Sequence, residues 1–329
     1  MRGSLVRATA GLAAAVSLAL GAGEALPAPA KWKHGIVIPK ADTAFIFMAR
    51  EKGFYAEEGV DPEFIPISGM HLVKALIAGT VDMIDQTPGV VFPAIESGAR
   101  LKIVGATLVS LPHVLYVRKE IGSVRELTGR VMGVSTMGSL PHVLVATLLE
   151  KYGIDEKQVR WANAGEEPDR VRAVIAGKVD AAASSVEFTP FLKDTQAKVL
   201  LNFSDEVPQY VRQTHITTDR AIAERADVLT RVLTAHVRGV RYALARRDEA
   251  LELMGKIAKK PAGEFGWLYD FFVKNRLVQP NLYVSPEALQ WMQQLNVKIK
   301  KQAAVLPSER VGTWEYQKKV LARLGEAPW

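Results

Sequence analysis

The chain has 329 residues, 48% hydrophobic and 23% charged, with a net charge of +7; it is too long for one ordinary core and too apolar to be disordered, and two lobes are expected. Lysine and arginine alternate with acidic residues along the whole length, and no basic arm or aromatic-basic motif appears, so nucleic acid is not an expected partner. Cysteine is absent, which excludes thiol catalysis, thiolate metal sites, disulfides and a lipid anchor on cysteine.

In chain order, residues 1–30 read as a signal peptide. Arg2 and Arg7 precede an uninterrupted small-apolar run, Ala8 to Leu20, too short to span a bilayer. Cleavage is expected after Ala25 or after Ala28-Pro29-Ala30, the second being preferred. The mature chain is then periplasmic, with no membrane anchor.

Alternating strands and helices follow. Ile36-Val37-Ile38 reads as a strand, and Asp42 or Thr43 as the cap of a helix that Gly53 stops. Phe64 to Ile67 is the next strand, Ser68 caps a helix to Ala78, and Val81 to Ile84 is a strand again. Strand, helix, strand with short loops predicts a mostly parallel sheet. The pattern then recurs. Lys74-Ala75-Leu76-Ile77-Ala78-Gly79-Thr80-Val81-Asp82 lies over Arg172-Ala173-Val174-Ile175-Ala176-Gly177-Lys178-Val179-Asp180, with six of nine positions identical. Gly59-Val60-Asp61 is echoed by Gly153-Ile154-Asp155. Two similarly built α/β lobes are expected. The last third is helical. Arg220 to Arg246 carries one apolar stripe, and Ser285-Pro286-Glu287 starts a helix bearing Leu289, Met292, Leu295 and Ile299. It is expected to pack on the first lobe.

The run Ala49-Arg50-Glu51-Lys52-Gly53-Phe54-Tyr55-Ala56-Glu57-Glu58-Gly59-Val60 resembles the opening motif of periplasmic binding proteins that serve ABC importers for nitrate, sulfonate, taurine and thiamine precursors. Ser68-Gly69 with Gly79-Thr80-Val81-Asp82, and Gly133-Val134-Ser135 with Gly138-Ser139 and Val179-Asp180-Ala181, resemble its later motifs. The similarity runs well from Ile36 to Phe191 and more loosely after Thr217. It implies an α/β chain of the type II periplasmic binding fold, two lobes joined by two crossing strands. Lobe one would be residues 31–116 plus 215–329 and lobe two 117–214, with hinges near Val114–Val117 and Val211–Ile216. It also implies a monomer that captures a small anionic or zwitterionic organic solute and passes it to an ABC permease, with no cofactor.

In open α/β sheets ligands bind beyond the carboxyl ends of the strands, where helix N-termini offer unpaired N–H groups. Four loops fit: Pro39 to Thr43 with Asp42 and Thr43; Ser68, Gly69 and Met70; Thr87 within Gln86-Thr87-Pro88; and Ser135 to Ser139 with Met137 and Gly138. Each Ser or Thr could equally be an ordinary cap. Glu187 follows a second-lobe strand and is either a ligand contact or a solvated acid. Glu166-Glu167-Pro168-Asp169 reads as an acidic first helical turn. His71, His113 and His142 read as surface or capping residues, too scattered for a metal site. Catalysis is not expected: a desulfinase and a pyrimidine synthase of this kind of fold depend on cysteine, and Ser110 with His113 lacks a nucleophile-elbow sequence.

Overall fold

The structure, a computed structural model, describes residues 28–328 apart from Ile38. The expected signal segment therefore lies almost wholly outside the described residues. Among those described, no helix is long and apolar enough to cross a membrane.

Ten strands form two sheets: β1 (Ala30–Ile36), β2 (Val60–Pro66), β3 (Met83–Gln86), β4 (Leu101–Leu108), β5 (His113–Arg118), β6 (Val131–Val134), β7 (Arg160–Asn163), β8 (Ala181–Ser185), β9 (Ala197–Asn202) and β10 (Gln213–Thr218). The first sheet has the order β2-β1-β3-β10-β4 and the second β7-β6-β8-β5-β9. β1 is parallel to β2 and β3, and β6 to β7 and β8. β10 is antiparallel to β3 and β4, and β5 to β8 and β9. Each sheet is thus four mutually parallel strands plus one antiparallel strand delivered after a crossing between lobes.

The internal repeat is visible as one piece of geometry used twice. In each copy a helix ends in a left-handed glycine, Gly79 (φ 71°) or Gly177 (φ 66°), a conformation that costs glycine no steric penalty. The following aspartate then clamps the neighbouring strand. Asp82 N–H donates to Lys33 O while its carboxylate accepts from Lys33 N–H, both at 2.8 Å; Asp180 makes the same pair of bonds to Val131, both at 2.8 Å.

Three expected boundaries move. The first strand begins at Ala30 rather than Ile36, because Trp32, His34 and Ile36 bury alternate positions along it. β5 pairs along its whole length within the second sheet, so the chain crosses at residues 109–112 and not at Val114–Val117. The return crossing ends at Arg212, since β10 joins the first sheet from Gln213.

The first sheet is covered on both faces. The helices Ala44–Glu51 and Asp219–Ala245 pack over Trp32, Met83 and Val104; the helices Gly69–Ile77, Pro88–Glu96 and Pro286–Lys298 pack over Ile84, Ile103 and Ile216. The long helix buries Leu229, Val232, Leu233, Val237 and Val240 as its stripe requires. Ser285 Oγ accepts from Ala288 N–H at 3.0 Å, capping the late helix as its sequence predicts. The C-terminal third therefore completes the first lobe.

Where the two helices on the first face cross, Gly239 lets them touch. A Cβ there would stand 2.6 Å from Ala49 N and 2.8 Å from Ala49 Cα. In an open helix, alanine is favoured over glycine by about 1 kcal/mol. Here the obstacle is backbone, which cannot rotate aside. Gly239→Ala is expected to lower stability by about 1–3 kcal/mol, read as a lower urea midpoint at unchanged m-value.

Candidate functional site

The loops leaving β1, β6, β7 and β8 converge, with the first residue of β5, on a cavity of about 560 Å³ between the lobes. This is the crevice beyond the carboxyl ends of parallel strands. The first lobe contributes Lys40. The second contributes His113, Ser135, Ser139, Glu167 and Glu187, with Leu140, Pro141 and Phe188 as apolar walls. A second chamber of about 310 Å³ lies beside it, lined by Thr87, Gly89 and Asn296 of the first lobe and Gly138, Leu140 and Val143 of the second. Leu140 borders both.

Local structure sets the aim of Lys40. Its N–H donates to Thr43 Oγ1 at 3.0 Å, closing the tight turn Ala41–Thr43 ahead of the next helix. The side chain crosses the cleft and its Nζ donates to Glu167 Oε2 at 2.9 Å. Glu187 Oε1 stands 3.5 Å from the same Nζ. On the far side of Glu167, His113 Nε2 is 3.4 Å from Oε1. The start of the helix Glu167–Ile175 is pinned from beneath. Ser184 Oγ donates to Glu167 O at 2.8 Å, and the buried Arg170 donates to Ala183 O and Gly165 O.

The two carboxyls are shifted in opposite directions. Burial favours the neutral form of Glu167, but His113 and Lys40 outweigh it and hold the group well below the usual carboxylate range. Burial pushes Glu187 up, and Asp42 and Glu167 push it further, with Lys40 opposing only in part. Burial works against the Lys40 charge, yet Glu167 and Glu187 together hold its pKa above the ordinary value. Burial also lowers the His113 pKa, with Glu167 opposing. The charged lining of the chamber is Glu166, Glu167 and Glu187 with Lys40 and Arg170; Arg170 is spent on backbone carbonyls, and Glu187 is left with Lys40 at 3.5 Å.

Two further lysines of the first lobe reach the second: Lys298 pairs with Glu150, and Lys301 Nζ donates to Gly138 O at 2.8 Å. Thr87 Oγ1 donates to Arg212 O at 2.8 Å, tying its loop to the return crossing.

The expected site residues divide as follows. Ser135, Ser139 and Glu187 line the larger chamber; Thr87 and Gly138 line the smaller. Thr43 positions Lys40, and Asp42 adds charge near Glu187. Ser68 and Gly69 lie on neither chamber: Ser68 is exposed at its helix start, and Gly69 O is taken by Gln86 Nε2. Met137 is 60% exposed at the tip of its turn and is not brought in. The Met70 side chain lies outside the described residues. His113, expected as a surface or capping residue, is buried in the cleft wall, while His71 is exposed and His142 accepts from Gly138 N–H. Lys40, Glu167 and His113 were not singled out as ligand contacts. Lys40 sits inside a loop that the sequence marks, but nothing in the sequence says that a lone lysine spans a cleft.

The model of the NMT1/THI5-like family matches residues 40–250, from the cleft lysine through the whole of the long helix. The chain belongs to the NMT1/THI5-like family. It is 23% identical over 224 residues to the formylaminopyrimidine-binding protein of Halalkalibacterium halodurans, covering 66% of this chain and 67% of that protein. Its fold matches that of the periplasmic aliphatic sulphonate binding protein SsuA from Escherichia coli at a TM-score of 0.71 and 17% identity, over 87% of this chain and 92% of that one. It also matches the desulfurization enzyme DSZB at a TM-score of 0.66 and 14% identity, over 90% and 99%. The fold is thus the type II periplasmic binding fold, which in this family's neighbours hosts both binding proteins and an enzyme.

The depressed Glu167 pKa has a pH consequence. A carboxyl held lower in the folded state stabilises above its unfolded pKa, and the stabilisation is lost as pH falls. Glu167→Gln is expected to cost about 1–3 kcal/mol at pH 7. The gap from the unmutated protein should narrow below about pH 4, as thermal melts of both proteins across that range would show.

Proposed function

We propose that this chain is the solute-binding subunit of an ABC importer and that its ligand carries an N–H donor or cation together with an anionic or polar acceptor group. The observation that carries this reading is that Glu167 and Glu187 share Lys40 as their ion-pair partner, while Arg170 in the same lining is bound to backbone carbonyls. A ligand N–H or ammonium meets Glu187. Lys40 and the free N–H groups at the start of the helix Leu140–Lys151 meet the acceptor half. A pure anion close to Glu187 is disfavoured. Two like charges about 4 Å apart at an effective dielectric near 20 cost about 4 kcal/mol, roughly a thousandfold in affinity. A taurine-like zwitterion or an amino-substituted ring satisfies both halves; nitrate or a plain alkanesulfonate does not.

On this reading the ligand contacts are Lys40, Thr87, Ser135, Gly138, Ser139, Glu167 and Glu187, and the chain binds its solute rather than transforming it. The two sheets define the lobes, and residues 109–112 and 203–212 are the hinges. Calorimetric titration of the unmutated protein and of Glu187→Gln against taurine, 4-aminopyrimidine, methanesulfonate and nitrate tests it. The amino-bearing ligands should bind more tightly, and Glu187→Gln should remove about ten- to hundredfold of that preference. Binding of pure anions alone, or no effect of the substitution on either class, overturns it.

The same reading places the chain in the periplasm, exported by its N-terminal segment. Ala30 pairs with Val60 in β1 and its N–H donates to Gly59 O. This supports cleavage after Ala25, ahead of the strand, over cleavage after Ala30. N-terminal sequencing of secreted material is expected to begin at Leu26. Intact Met1 on protein retained in the cytoplasm would overturn export.

A further inference from the structure

A row of polar side chains crosses the buried face of the first sheet beneath the helix Asp219–Ala245. His34 comes from β1, Asp85 from β3, His215 from β10 and Thr107 from β4, while His236 comes from the helix; none is more than 3% exposed. Asp85 Oδ1 lies 2.6 Å from His215 Nδ1 and 2.9 Å from His34 Nε2. One ligand-capable atom from each of these three residues lies within 4.8 Å of the other two. The His215 contact is a hydrogen bond; the His34 nitrogen is at contact distance but out of line for one. The His236 ring centroid is 4.7 Å from that of His215 and 5.4 Å from that of His34. Neither His236 nitrogen has a hydrogen-bond partner among the described residues.

Packing alone does not account for this row. Each buried, unpartnered ring nitrogen costs about 1–3 kcal/mol, and three are gathered here around one carboxylate. Apolar side chains would fill the same space without that cost. A cation answers two of them, His34 Nε2 and one nitrogen of His236. The donors are imidazole nitrogens and one carboxylate oxygen with no sulfur, a set that suits zinc. Thr107 Oγ1 lies 2.8 Å from His215 Nε2. As acceptor from that nitrogen it would leave Nδ1 free to coordinate, the outer-sphere support that ligating histidines usually have.

We propose that His34, Asp85 and His215 are ligands of a structural zinc ion in the first lobe, with His236 turning in as the fourth. Two ligands of a tetrahedral zinc stand about 3.3 Å apart, so Asp85 draws back by about half an ångström when the ion enters. With all four residues sealed from solvent, the ion is taken up as the lobe folds. The site is independent of the solute-binding reading, since none of its residues lines the cleft chambers.

The test uses the full chain without a histidine tag. Protein unfolded in guanidinium chloride with chelator is refolded with zinc chloride, dialysed and assayed by elemental analysis. About one zinc per chain is expected, together with a higher melting temperature than that of protein refolded without metal. His236→Leu and Asp85→Asn, each checked for folding by circular dichroism, should lose at least about tenfold in zinc affinity. Refolding with cobalt(II) instead gives a readout that needs no variant: a four-coordinate site shows intense visible bands and no thiolate charge transfer. No zinc above the chelated background, a weak six-coordinate cobalt spectrum, or full zinc retention in both folded variants overturns the proposal.

Discussion

β10 hydrogen-bonds to β3 on one side and to β4 on the other, and without it the first sheet is two separate pieces. β5 does the same between β8 and β9. Each sheet is thus closed by the strand that the chain lays down immediately after crossing from the other lobe. This joins the lobes more tightly than two linkers would, since neither sheet is complete until the chain has passed through its partner. It also sets the cleft. His113 is the first residue of β5, and Arg212, which holds Thr87, directly precedes β10. Polar groups on the cleft wall are therefore anchored to the strands at the crossings, and a change in lobe angle moves them together.

The legible part of the sequence was whatever local geometry demands. The Ala-Gly-x-Val-Asp repeat was readable because a left-handed glycine followed by a strand-clamping aspartate has few sequence solutions. Ser285-Pro286 was readable because a cap is decided within four residues. The four cleft loops were readable as helix starts after strands, although only some of their side chains reach a chamber. Met137 shows the limit. It lies in the correct loop, but one left-handed residue after it, Gly138 (φ 75°), sets the direction of the turn and Met137 stands in solvent. Glu167 shows the converse. It reads as an acid favoured by a helix N-terminus, and it does begin a helix. Its pairing depends on Lys40, 127 residues away in sequence, and no periodicity encodes that distance.

The histidines carry the same lesson further. Those close to loop signals stand out in the sequence, while His34, His215 and His236 sit in strand and helix interiors away from any such signal. Their alternation fits an ordinary core pattern. Only the sheet order, which lays β1, β3 and β10 side by side, turns three isolated polar positions into one cluster.

The two lobes thus bury charge in opposite ways. In the first, Asp85 is sealed among imidazoles and held far below the usual carboxylate range; burial opposes this, and His34 and His215 overcome it. In the second, Glu167 and Glu187 face the cleft and share an ion-pair partner, Lys40, that belongs to the other lobe. Sealing suits a group whose partner never leaves. Leaving an acid dependent on a side chain across a hinge suits a group whose partner changes. Under the proposed reading, opening of the lobes withdraws Lys40 and rehydrates both acids. When they close, something cationic must return, and Lys40 reaches Glu187 only at 3.5 Å. On that reading Lys40 and the ligand's donor compete for Glu187, and a ligand is selected by supplying that donor better than the lysine does.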